Sequence, residues 1–115
     1  MIESSQSTRK YEPGEVYLVA GKKGYQLAKV LAVDPGIVHI RLYRNVFPQR
    51  PSDIDLDTLE LGSIQDPDGF GMGHLPLKYE SFAAWGPQYF RRVLVREDEL
   101  DGYRMWKDVG GGVWD

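Results

Sequence analysis

Cysteine is absent from the 115 residues, which excludes disulfides and thiolate metal sites. Histidine occurs only twice, as His39 and His74, so imidazole chemistry has few places to sit. No nucleophile elbow and no zinc-binding helix motif is present, and a serine–histidine mechanism would need an oriented third group as well. No apolar run approaches the ~18 residues of a membrane-spanning helix. The first ten residues, MIESSQSTRK, lack the apolar stretch of a secretory signal. They read as a flexible polar tail ahead of a single globular domain over 11–115, and the expected compartment is the cytoplasm.

What the chain does contain is a strong β signal over Glu15–Tyr43. Three strand-type runs, 15–20, 25–33 and 37–43, are separated by Gly21-Lys22-Lys23-Gly24 and Asp34-Pro35-Gly36, both suited to tight turns. In the second run Leu27, Leu31 and Val33 alternate with Ala28, Val30 and Ala32, so it is apolar on both sides and belongs in the middle of a sheet. In the third, Val38, Ile40 and Leu42 alternate with His39, Arg41 and Tyr43, the period of a strand with one face toward water. His39 accordingly reads as a surface residue. Short, strongly twisted meanders curl, so the expected fold is α+β: an antiparallel, SH3-like barrel-type β-meander of about five strands with one short and one longer C-terminal helix.

The later pieces are less regular. Two prolines in 45–51 forbid a central strand there. Residues 53–57 read as a loop, 58–61 as a short strand, and the glycine-rich 63–73 as a loop that His74 helps to fix. Tyr79, Phe82 and Trp85 recur at helical spacing, predicting a helix over 79–85 that Gly86-Pro87 ends. A strand follows over 90–96. A second helix is expected over 98–108, capped by Asp98, with Leu100, Tyr103 and Trp106 as its inward stripe and Val113-Trp114 tucked back on the body.

The net charge of −3 is unevenly spread. Residues 21–50 hold six Lys or Arg against Asp34 alone, a net +5. Residues 51–77 hold Asp53, Asp55, Asp57, Glu60, Asp66 and Asp68 with no cation, a net −6. Asp66-Pro67-Asp68-Gly69 has the start of a calcium loop but none of its later oxygens, so no metal and no cofactor is expected. Either the acidic and basic segments neutralise each other across the fold, or the acidic one faces a basic partner: Asp53, Asp55, Asp57, Asp66 and Asp68 for charge-assisted contacts, Phe70 and Met72 as apolar anchors, His74 beside them. The competing reading is nucleic-acid binding by Lys22, Lys23, Arg41, Tyr43 and Arg44, which the acidic pI of about 5.3 opposes.

Pro13-Gly14-Glu15-Val16-Tyr17, followed by a hairpin ending in Lys29-Val30-Leu31, resembles the opening of small β-rich immunity proteins found beside bacterial polymorphic toxins. His74-Leu75-Pro76 and Asp101-Gly102-Tyr103-Arg104-Met105-Trp106 with its glycine tail are similar to bacterial proteins of the same general group. The resemblance implies a non-enzymatic protein that binds and blocks a toxin in the cytoplasm. Acidic surfaces are common in such proteins when the toxin is a nuclease.

Overall fold

The computed structural model describes residues 11–59, 61 and 72–113. The 1–10 tail, Asp66, Asp68, Phe70 and Trp114 lie outside the described residues. The meander forms as the sequence anticipates: β1 (Glu15–Ala20), β2 (Tyr25–Asp34) and β3 (Ile37–Leu42) pair antiparallel through the two short turns. The first turn needs glycine at position 24, whose φ is +144° and where a Cβ would collide with the Phe47 carbonyl. β4 (Met72–Lys78) pairs with β3, and β5 (Gln88–Arg92) pairs with β1. The result is a five-stranded antiparallel sheet in the order β4-β3-β2-β1-β5. Among the described residues β4 and β5 are its two edges, and no pairing joins them into a closed barrel.

β4 occupies residues that read as loop and lead-in, because Gly73 and Pro76 weaken a strand signal. Pro76 is tolerated since an edge strand can lack a donor on its outer side. The described residues of 58–61 form no strand; Asp55 caps a single 3₁₀ turn, Leu56–Thr58, by accepting from the Asp57 amide at 3.0 Å. The fifth strand lies at 88–92 instead of 90–96. Helix α1 (Tyr79–Ala84) follows β4 directly, and α2 (Asp101–Val109) is preceded by a 3₁₀ turn over Glu97–Leu100. The N-cap there is Arg96, not Asp98: Glu99 reaches back to the Arg96 amide at 2.8 Å.

One face of the sheet is largely apolar. Tyr17, Ala28, Val30, Val38, Ile40, Leu42, Leu75 and Leu77 meet Tyr11 and the fully buried Phe82 of α1. Edge-to-face aromatic contacts, Tyr11 to Phe82 at 5.1 Å and Tyr17 to Phe82 at 5.9 Å, fix the helix on that face. The expected aromatic side of α1 is thereby observed, with Tyr79 and Trp85 packed at its margin.

The opposite face is divided. One half is apolar: Val16, Leu18, Leu27 and Tyr43 lie under Leu56, with Phe47, Ile54, Leu59, Phe90 and Val93 around them. The other half carries Lys29, His39, Arg41 and His74, and it is not open to water. The 94–99 segment and α2 cover it, leaving Lys29 3% exposed and His39 0%. The expectation that the polar face of β3 meets solvent is therefore corrected.

A β-bulge decides what stands on that half. Val30 pairs with Ile40, but Ala32, not Leu31, pairs with His39. The extra residue reverses side-chain parity along the rest of β2. Val33 accordingly joins the apolar face with Val30, whereas simple alternation placed it with Leu27. Asp34, at the end of the same strand, is brought to the side of His39.

Candidate functional site

Two ionisable clusters emerge, one exposed and one buried. The exposed one is a hollow of about 350 Å³ lined by Asp53, Ile54, Asp55, Leu56, Asp57, Arg91 and Val93. The 3₁₀ turn places the three carboxylates at its rim, and Ile54, Leu56 and Val93 provide an apolar floor. Bare carboxylates were expected here, and two of the three are paired. Arg91 Nη2 reaches Asp53 Oδ1 at 2.6 Å and Arg96 Nη1 reaches Asp57 Oδ1 at 2.8 Å. The Arg91 hydrogen bond and charge hold the Asp53 carboxyl below the usual carboxylate range. Three carboxylates meet two guanidiniums, one of which, Arg96, is shared with Asp98, so the hollow stays net negative.

The remaining proposed contacts divide. Met72 is half-buried against the apolar face of the sheet, and His74 points from the other face of β4. β4 and β5 are opposite edges, about 19 Å apart at normal strand spacing. His74 and the Arg91 side of the hollow therefore do not form one patch.

His74 instead belongs to the buried cluster. His39 Nε2 lies 2.9 Å from Asp34 Oδ2, and His39 Nδ1 lies 3.0 Å from His74 Nε2. The Asp34 carboxylate assigns a proton to His39 Nε2, so His39 Nδ1 accepts from His74 Nε2–H. Helix α2 closes over the pair. Tyr103 and Trp106 meet the His39 ring at 4.6 and 4.5 Å, and Tyr103 Oη donates to Asp34 Oδ2 at 3.2 Å. Lys107 Nζ donates to Tyr103 Oη at 3.2 Å and stands 3.8 Å from Asp34 Oδ1. Burial lowers the His39 pKa, against the pull of Asp34; burial and then the neighbouring His39 bring His74 down to about 4. Both rings are neutral at pH 7.

Beside the imidazoles, Lys29 donates to Glu99 Oε1 at 2.9 Å and to the Leu94 carbonyl at 2.8 Å. Arg41 Nη1 approaches Glu99 Oε2 at 3.5 Å, and its Nε donates to the Gly73 carbonyl at 3.3 Å. The Tyr43 hydroxyl is pushed up to about 12 by burial and by Glu99. Of the residues read as a nucleic-acid face, Arg41 is thus engaged by Glu99 and Tyr43 is buried. Lys22 and Lys23 stand exposed at the first turn. Among the described residues, no three His, Asp or Glu side chains gather to hold a metal ion, and no helix is long and apolar enough to cross a membrane.

Sequence reasoning missed Asp34, Lys29 and Glu99. Signals existed for two of them, the first being that Asp34 and His39 lie on strands joined by the two-residue Pro35-Gly36 turn. For Glu99 the signal was the spacing from Arg96 to Glu99 ahead of a helical stripe. Comparison with family models, with curated proteins and with solved structures finds no match.

Proposed function

We propose that this chain is a non-enzymatic binding protein, an immunity protein that blocks a basic toxin domain through the hollow at Asp53, Asp55 and Asp57. The observation that carries the reading is the hollow's build: an apolar floor of Ile54, Leu56 and Val93 inside a rim of exposed carboxylates. That is the arrangement of a small contact core with a polar rim. The side chain of Asp53 is 87% exposed and that of Asp57 72%, so their ion pairs with Arg91 and Arg96 are open to exchange. An incoming lysine or arginine can take either carboxylate while its aliphatic stem lies on Ile54 and Val93. Asp66, Asp68 and Phe70 extend the same proposal, whereas Met72 packs on the apolar face of the sheet and drops out of it; an SH3-like relationship of the β1–β3 meander belongs to the proposal too. The nucleic-acid reading draws no comparable support, because Arg41 and Tyr43 are taken up inside the molecule.

The test is rescue of growth. A toxin encoded beside this chain, expressed alone, should arrest cells, and co-expression of the chain should restore them. The D53K/D57K variant should lose the rescue at unchanged thermal stability. Full rescue by that variant would remove the hollow from the interface.

A further inference from the structure

Helix α2 is an amphipathic segment that none of its own residues anchors by burial: no residue in Asp101–Val109 is buried. Its attachment to the sheet is concentrated on three side chains. Tyr103 Oη and Lys107 Nζ are directed at Asp34, Tyr103 and Trp106 enclose the His39 ring, and Gly102 lies against His74. A Cβ at Gly102 would stand 2.7 Å from His74 Cβ, so helix and imidazole touch without space between them. Past the helix, Gly110 adopts a left-handed conformation (φ +62°), and Trp106 Nε1–H donates to the Gly112 carbonyl at 2.8 Å. The chain after α2 thus folds back on the helix.

We propose that α2 is held by a proton-sensitive clasp: the neutral His39–His74 pair keeps the helix docked, and protonation of the pair releases it from the sheet. The contact has one proton between Nδ1 of His39 and Nε2 of His74. A first added proton can sit on the far nitrogen of His74 without breaking that hydrogen bond, although the cation is then held away from water. A second sets two N–H donors against each other at 3.0 Å, with no acceptor between them. The charged groups facing the pair are Asp34 from β2, Arg41 on the His39 strand, and Lys107 from α2, with the Tyr103 hydroxyl beside them. Asp34 alone among them favours added protons. Lys107 disfavours them at His39.

The sign follows from the shifted imidazoles. His74 is brought down to about 4 in the docked state and His39 is lowered too, whereas a solvated imidazole titrates near 6.5. The released state therefore binds more protons. Docking is complete above pH ~6.5 and weakens as the pH falls from there toward 4. One differential proton makes opening at most about tenfold easier per pH unit, and because a solvated imidazole is already half protonated at 6.5, His74 alone gives about fortyfold between pH 6.5 and 4.5. The acid-rimmed hollow stays in place, since Leu56 holds it on the apolar half of the face. The clasp is independent of what the hollow binds.

Amide hydrogen exchange on the intact chain, corrected for intrinsic rates, tests this residue by residue. Between pH 6.5 and 4.5 the opening constant of α2 amides should rise about fortyfold or more while β2 amides rise less than tenfold. His74→Gln should flatten the α2 response, because the glutamine amide can either donate to His39 Nδ1 or accept from it. Asp34→Asn should move opening to higher pH by removing the carboxylate that favours protons. Imidazole nitrogen shifts at pH 7 should show His39 protonated at Nε2 and His74 at Nε2. A pH-independent α2, the same rise in His74→Gln, or joint opening of α2 and β2 would each overturn the clasp.

Discussion

The buried ion pair Lys29–Glu99 and the exposed pair Asp53–Arg91 are built from the same chemistry. The exposed one is the shorter, 2.6 Å against 2.9 Å. Length nevertheless does not rank them. Lys29 and Glu99 are 3% and 2% exposed, and each has a second partner in the protein, the Leu94 carbonyl for the ammonium and the Arg96 amide for the carboxylate. Asp53 is 87% exposed, and water replaces Arg91 at little loss. A short contact at the surface is a contact available for exchange, whereas a slightly longer one inside the fold ties the 94–99 segment to the centre of the sheet. Burial therefore assigns the two halves of the same face to different work, one to holding and one to touching.

The sharpest way to break that contrast is to delete one partner of the buried pair. Glu99→Ala leaves the Lys29 ammonium without a counter-charge under the 94–99 segment and should lower stability by about 3–5 kcal/mol, read by chemical denaturation. Because Arg41 loses the same carboxylate, the effect belongs at the upper end of that range. The double variant Lys29→Met, Glu99→Leu should recover much of the loss, since the buried ammonium is gone and only the partly exposed Arg41 is left without the carboxylate. If the double variant is as unstable as Glu99→Ala, the pair acts through shape and not through charge.

A smaller effect is expected where the buried cluster meets α2. Gly102→Ala places a methyl group 2.7 Å from His74 Cβ, on backbone that itself fits alanine. Overpacking of this kind costs about 1–3 kcal/mol. The loss should be confined to α2, visible as raised exchange there with the β1–β3 meander unchanged. Uniform destabilisation would mean that α2 and the sheet form one cooperative unit.

These two sites also mark where the sequence was readable and where it was not. The meander was legible because alternation and turn chemistry in 15–43 agree on where its strands begin and end, although the bulge reverses the alternation past Val30. Phe82 and its neighbours were legible for the same reason at helical period. β4 was obscured by Gly73 and Pro76, which argue against a strand unless its place at an edge is already known. The covering of His39 and Arg41 was invisible locally, because the cover comes from residues about sixty positions away. The Asp34–His39 contact was hidden by the bulge at Leu31, where one extra residue turns the end of β2 over and no nearby glycine announces it. Composition located the acidic segment, but not the arginines that meet it, since Arg91 and Arg96 are supplied by β5 and the chain beyond it.

The exposed half should respond least in stability and most in association. Asp53→Asn with Asp57→Asn removes both rim ion pairs, yet neither carboxylate is buried, and Arg91 keeps its hydrogen bond to the Ile54 carbonyl at 3.1 Å. The melting temperature should therefore stay within measurement error of the parent. Binding to a basic partner domain should slow, with the difference from the parent shrinking as salt rises from 50 to 500 mM, because screening removes what the carboxylates contribute to encounter. If stability falls instead, the pairs at the rim are structural, and the contrast between the two halves of this face collapses into one continuous network running from Glu99 through Arg96 to Asp57.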